Sequence, residues 1–147
     1  MNNIEVSYPL SPMQQGMLFH NLYAPQSGVD IEQMIIGLHE ELNVSAFEKA
    51  WQRVVKRHSI LRTSFRWEGQ NEPFQDVYSQ VNLVLEQYDW RKFSTQEQAE
   101  KLDIYLQYDR QRGFVLTETP LMRLALFRMG DADYRCVWTF HHILLES

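Results

Sequence analysis

The segment Leu121–Phe127 constrains the fold most strongly, because six of its seven residues are apolar. A short apolar run of this kind is typical of a strand whose two faces are both buried. Residues 130–133, with the sequence Gly-Asp-Ala-Asp, have turn chemistry, and the residues after them alternate as a second strand. The pattern predicts a hairpin of Leu121–Met129 with Tyr134–His142, inside a sheet that other layers must cover on both sides.

Helices that can cover such a sheet follow from capping residues and 3.6-residue periodicity. Three are predicted, starting at Pro12, at Asn43 and at Thr95, and ending near Pro25, His58 and Arg112. In the first helix, Met13 and Met17 are expected to face the core. In the second, Ser45 and Glu48 have the spacing of a capping box. In the third, Ala99 is expected to face inward with its apolar neighbours.

Four more strands are predicted from alternation, over residues 30–42, 61–67, 73–78 and 81–88. Helices therefore interleave with strands in the order α-β-α-β-β-β-α-β-β. This order favours the α/β class, with a mixed sheet layered with helices. No repeat or linker divides the sequence, so residues 1–147 are interpreted as one unit.

Charge and cysteine content exclude several functional classes. The formal net charge is −5, with 14 Lys and Arg against 19 Asp and Glu, which predicts no nucleic-acid partner. No stretch approaches the roughly 20 apolar residues of a membrane-spanning helix, so no membrane partner is expected. The single cysteine, Cys136, excludes an intrachain disulfide and a cysteine-based zinc cluster, and favours a cytoplasmic setting. It is expected to pack as a small apolar residue.

The pair His141–His142, at the end of the last predicted strand, is the strongest candidate for chemistry. Adjacent strand residues point to opposite faces, so one ring can reach a cavity while the other is held in packing. Histidine titrates near neutral pH, as a general base must, although two structural histidines are the simpler interpretation. His142 and Glu146 alone are too few ligands for a zinc site. Arg62, within a predicted strand, needs a carboxylate partner if it is buried.

Three segments of the chain then resemble, in order and spacing, the core motifs of condensation domains from nonribosomal peptide synthetases. Ser11–His20 (SPMQQGMLFH) is similar to the first motif. Arg57–Phe65 (RHSILRTSF) is similar to the second, usually R-H-E-x-L-R-T-x-F, with Ser59 in place of Glu. Phe140–Leu145 (FHHILL) begins like the third, H-H-x-x-x-D-G. Glu146 and Ser147 stand where that motif has Asp and Gly.

The resemblance implies a lobe of the chloramphenicol acetyltransferase type. Residues 1–147 would be the N-terminal lobe, without the C-terminal lobe. It implies that His142 is the catalytic residue, which acts as a base on the amine or orients it. His141, Glu146 and Arg62 are the implied supporting residues, since the motif's acid usually pairs with an arginine. The longer Glu146 side chain and the Cβ of Ser147 are expected to disturb that loop.

Substrates and partners are also implied by the resemblance. The family joins thioesters carried on the 4'-phosphopantetheine of carrier proteins, and the lobe itself is expected to bind no cofactor. The lobe is expected to be inactive alone and to associate with the missing lobe or with itself. Two alternatives stay open. The chain could be a non-catalytic lobe that only docks a carrier protein or partner, or a fragment of an epimerisation-type relative. Heterocyclising relatives carry aspartates in place of the pair His141–His142.

Overall fold

The computed structural model describes residues 3–24 and 28–145, which form two sheets and three α-helices. The helices are α1 (Pro12–Tyr23), α2 (Val44–Arg57) and α3 (Thr95–Arg112). The strands are β1 (Ile4–Pro9), β2 (Ile31–Leu38), β3 (Thr63–Arg66), β4 (Phe74–Tyr78), β5 (Leu85–Asp89), β6 (Met122–Gly130) and β7 (Asp133–His141). Short 3₁₀ turns span Ser59–Arg62 and His142–Leu145.

The larger sheet has four strands in the order β2-β7-β6-β5. β2, β7 and β6 pair antiparallel, and β5 pairs parallel to β6 after the chain crosses through α3. On one face, Phe127 and Val137 pack against Leu102, Tyr105 and Leu106 of α3. The other face carries the main apolar core. This arrangement confirms the predicted α/β class, the β6–β7 hairpin and the burial of both faces of β6.

A second, three-stranded antiparallel sheet has the order β1-β4-β3. Its β3–β4 hairpin confirms the prediction from residues 61–67 and 73–78. Strand β1 was not predicted, although its apolar residues Ile4, Val6 and Tyr8 alternate with Glu5 and Ser7; only Ile4 of its six residues is shielded from solvent in the structure.

The predicted core face of α1 is wrong for Met13 and confirmed for Met17, which packs against the main core. Met13 is 60 % exposed, while Gln14 and Leu18 are the buried residues of this helix. Gln14 and Leu18 are four residues apart and share a face. Because Gln14 is polar, the apolar pattern alone placed Met13 on the buried face in its stead.

Several boundaries also differ from the predictions. Asn43 caps α2 by accepting a hydrogen bond from the Ala46 amide at 3.0 Å, so the proposed Ser45–Glu48 box is wrong. Ala99 is exposed. The strand predicted over 81–88 forms backbone hydrogen bonds to a neighbouring strand only from Leu85 onward. Before Leu85, alternate side chains are buried, which gives the sequence pattern of a strand, but the backbone there pairs with no described strand. Among the described residues, no helix is long and apolar enough to span a membrane.

Candidate active site

The histidine turn (His142–Leu145) begins where β7 ends. Strand pairing continues one step past β7, since the His142 amide donates to the Asp30 carbonyl at 2.8 Å. The turn then packs against α1 and against the 3₁₀ turn Ser59–Arg62. The segments that resemble the three family motifs therefore meet at this point.

His141 is fully enclosed, with 1 % of its surface exposed. Its Nδ1 accepts a hydrogen bond from the Ile143 amide at 3.1 Å, and its own amide donates to the Leu121 carbonyl. Burial lowers the pKa of His141 to about 4, with His142 adding to the effect and Asp30 opposing it. The ring is therefore neutral at physiological pH and serves as a hydrogen-bond acceptor that supports the turn.

His142 lies on the other side of the strand end, with 30 % of its side chain exposed. Its Nδ1 contacts Oε1 of Glu32, a residue of β2 whose side chain is 44 % exposed. A second histidine–carboxylate pair lies beside it, in which Nδ1 of His20 is 3.2 Å from Asp30. The two adjacent histidines at the end of β7 therefore diverge: His141 is held in packing, as predicted for one of them, and His142 is partly exposed.

Arg62 is buried, and its guanidinium binds within the protein. Nε donates to the Val55 carbonyl at 3.1 Å, and Nη1 donates to the Tyr78 carbonyl and lies 3.4 Å from Glu5 Oε2. These contacts fasten the Ser59–Arg62 turn to α2 and β4, and they do not reach the histidine pair. Glu146 and Ser147 lie outside the described residues.

Sequence reasoning missed two side chains at this site, Glu32 and Gln14. Glu32 reaches His142 only through the β2–β7 register, which a single sequence does not reveal. Gln14 accepts from the Ser11 amide at 2.9 Å and from Gln75 Nε2 at 3.0 Å, and its own Nε2 lies 3.5 Å from the Ile143 carbonyl. Its capping-box position, three residues after Ser11, was the available signal.

The described residues offer little for a metal or a nucleophile. No group of three or more His, Cys, Asp or Glu side chains within residues 3–24 and 28–145 is placed to hold a metal ion. Cys136 is completely buried, and burial raises the pKa of its thiol to about 11. It packs in the main core as a small apolar residue, as predicted.

The sequence matches curated relatives that belong to large peptide synthetases. It is 46 % identical over 145 residues to one of the linear gramicidin synthase subunits of Brevibacillus parabrevis, covering 99 % of this chain and 2 % of that protein. Tyrocidine synthase 2 of the same organism is 39 % identical over 147 residues, covering 98 % and 4 %. Bacitracin synthase 1 of Bacillus licheniformis is 38 % identical over 144 residues, covering 98 % and 3 %. The chain thus spans only a small part of the length of these relatives.

Solved structures show the same fold. The starter condensation domain of rhizomide synthetase superimposes with a TM-score of 0.84 at 22 % identity, covering 95 % of this chain and 34 % of that one. A four-domain nonribosomal peptide synthetase bound to AMP and glycine superimposes with a TM-score of 0.83 at 17 % identity, covering 96 % of this chain and 10 % of that one. The chain thus spans about a third of the starter domain. The family model "Condensation domain" matches residues 4–146, so this chain belongs to the condensation-domain family and corresponds to part of such a domain in nonribosomal peptide synthetases.

Proposed function

We propose that this chain contributes His142 to amide-bond formation between a carrier-bound acyl or peptidyl thioester and the amine of a carrier-bound aminoacyl thioester. The observation that carries the proposal is the position of His142. It is a partly exposed imidazole in contact with a carboxylate, at the start of the segment that resembles the third family motif. His141 beside it is buried and neutral, so His142 is the ring that can meet a substrate.

The reaction needs one proton acceptor and close alignment of two substrates. The amine nitrogen attacks the thioester carbonyl carbon, a C–N bond forms, the C–S bond breaks, and the sulfur leaves as a thiol. The attacking nitrogen loses a proton, which His142 either accepts as a base or helps to direct by orienting the amine. Holding the two thioesters together supplies much of the rate gain through proximity.

We propose that the rest of the site lies outside this sequence. The chain covers 34 % of the solved starter domain, and we interpret it as the N-terminal lobe of a two-lobed domain. A site that lacks the residues of one lobe does not exclude water or align two substrates, so the isolated chain is expected to be inactive. The substrates would arrive on the 4'-phosphopantetheine of carrier proteins, in the cytoplasm, where the free thiol of Cys136 stays reduced.

Reconstitution tests this role of His142. The chain is mixed with the missing lobe and two loaded carrier proteins, and the dipeptidyl thioester is quantified by mass spectrometry. His142→Ala is expected to lower the rate about 100-fold or more, the usual size of a general-base contribution. His39→Ala, at an exposed histidine just beyond the far end of β2, is the matched control. Equal product from the wild type and from His142→Ala would refute the role.

We also propose that β2 is a surface for the second lobe, or for a second copy of this chain when that lobe is missing. Met34, Ile35 and Ile36 are exposed on both faces of this strand, which forms one edge of its sheet. Long apolar edge strands favour pairing with another chain. Light scattering is expected to show a mass that rises with concentration, and Ile35→Lys should abolish the rise. Ile104→Lys, at a more exposed isoleucine on α3, should leave the rise unchanged. A monomer at all concentrations would contradict the proposal.

A further inference from the structure

We infer that Glu32 is a positioning residue for His142, whose imidazole it holds in the tautomer with the proton on Nδ1. The inference rests on the proposed function of His142 and adds a residue that lies outside all three motif-like segments. Its basis is the contact between Glu32 Oε1 and His142 Nδ1. Three features of the structure argue that this contact is built into the fold.

The first feature is strand register. Ile31 lies opposite His141 and Glu32 opposite Phe140, and the bond from the His142 amide to the Asp30 carbonyl extends the same register. Glu32 and His142 are therefore diagonal neighbours on one face of an antiparallel pair. Diagonal neighbours are about 7–8 Å apart at the backbone, which long side chains can span. The sheet, rather than a loop, fixes the approach of the carboxylate.

The second feature is that other charged groups around the histidine turn have partners elsewhere. Just before β2, Asp30 lies 3.2 Å from His20, which comes from α1. On β7, His141 is buried and neutral. From the 3₁₀ turn, Arg62 binds Glu5 and two carbonyls. Glu32 therefore contacts the His142 ring while these neighbours are engaged by other groups.

The third feature is the chemistry of the pair. An ionised carboxylate only accepts hydrogen bonds, so the imidazole nitrogen that it contacts carries the proton. In the neutral ring the lone pair then lies on Nε2, the nitrogen that can take a proton from an amine. If the ring gains that proton, the adjacent carboxylate stabilises the resulting imidazolium, which is the role of the acid in hydrolytic triads.

Nuclear magnetic resonance of the ¹⁵N-labelled histidine rings tests the inference on this chain. The variant Glu32→Ala removes the contact and, because Glu32 is partly exposed, is expected to fold. The neutral His142 ring should shift several-fold toward the Nε2–H tautomer, and the midpoint of its titration should move about half a pH unit or more to lower pH, since a nearby negative charge favours the charged ring. Glu32→Asp should restore part of both signals. Glu41→Ala, at an exposed carboxylate beyond the far end of β2, should change neither.

Equal tautomer ratios and midpoints in Glu32→Ala and Glu41→Ala would overturn the inference. A change of both signals in Asp30→Asn, but not in Glu32→Ala, would also overturn it, because the orienting acid would then be Asp30. The measurement needs neither the second lobe nor carrier proteins. A failed inference about Glu32 therefore leaves the proposed function standing, while an active His142→Ala variant would refute that function without affecting the Glu32 contact.

Discussion

Acidification should destabilise this protein through His141, and replacing His141 with asparagine should remove that sensitivity. Burial lowers the pKa of His141 to about 4 in the folded protein, while the ordinary value is 6.5. The folded state therefore binds this proton more weakly than the unfolded chain does. The contribution to stability is complete above pH 6.5 and is lost as the pH falls toward 4. A difference of 2.5 pH units corresponds to about 3 kcal/mol in total, of which about 2 kcal/mol is lost by pH 5.

Urea unfolding at pH 7, 6 and 5 measures this loss in the wild type and in His141→Asn. The asparagine side chain can still accept a hydrogen bond from the Ile143 amide, but it does not titrate. The free energy of unfolding of the wild type minus that of His141→Asn is expected to fall by about 2 kcal/mol between pH 7 and pH 5. His58→Asn, at an exposed histidine, controls for removing a titrating ring. An unchanged difference at every pH would refute the claim that His141 is neutral and buried.

Three further predictions concern buried polar and thiol groups. Asp109→Asn should lower the free energy of unfolding, measured by urea titration, by about 3 kcal/mol or more relative to the control Asp103→Asn at an exposed residue. The reason is that buried Asp109 accepts hydrogen bonds from three neighbouring elements. Gln14→Leu should cost about 1–3 kcal/mol by the same assay, because the amide of buried Gln75 loses an acceptor. Cys136 should resist maleimide labelling at pH 7.5 until urea unfolds the protein.

Asp109 also shows how opposing effects on one carboxyl group combine. Burial alone would raise the pKa of Asp109, but hydrogen bonds from Thr139 and Gln33 and the charge of Arg123 outweigh it, and the pKa is lowered. The stability gained from the ionised group is therefore present above its ordinary pKa and is lost at strongly acidic pH. The difference in the free energy of unfolding between the wild type and Asp109→Asn should accordingly become smaller below about pH 4.

Local patterns predicted much of the fold because they report burial. The apolar run in β6 corresponds to a strand whose two faces are both covered in the structure. The same reasoning failed where a buried residue is polar or an exposed residue is apolar. Gln14 is buried and polar, Met13 is apolar and exposed, and the apolar residues Val6 and Tyr8 of β1 are exposed as well.

The candidate site was predictable only for residues adjacent in sequence. The pair His141–His142 stands out because strand alternation sends its two rings to opposite faces. Glu32 could not be found in this way, since its proximity to His142 depends on which strands pair and in what register. The roles of His142, His141, Glu146 and Arg62 remain predictions.

The geometry around His142 argues that sheet register, more than the motif loop itself, sets the chemistry of this site. Side chains alternate along a strand, so a shift of β2 by one residue against β7 would turn Glu32 to the opposite face and bring Ile31 or Gln33 toward the histidine turn. Gln33 is held on that opposite face by hydrogen bonds to α3, including one to Asp109 at 3.0 Å. The contact of α3 with β2 therefore fixes the register that brings a carboxylate to His142. By this reasoning, loosening α3 at Asp109 should weaken the Glu32–His142 contact from the far side of the sheet.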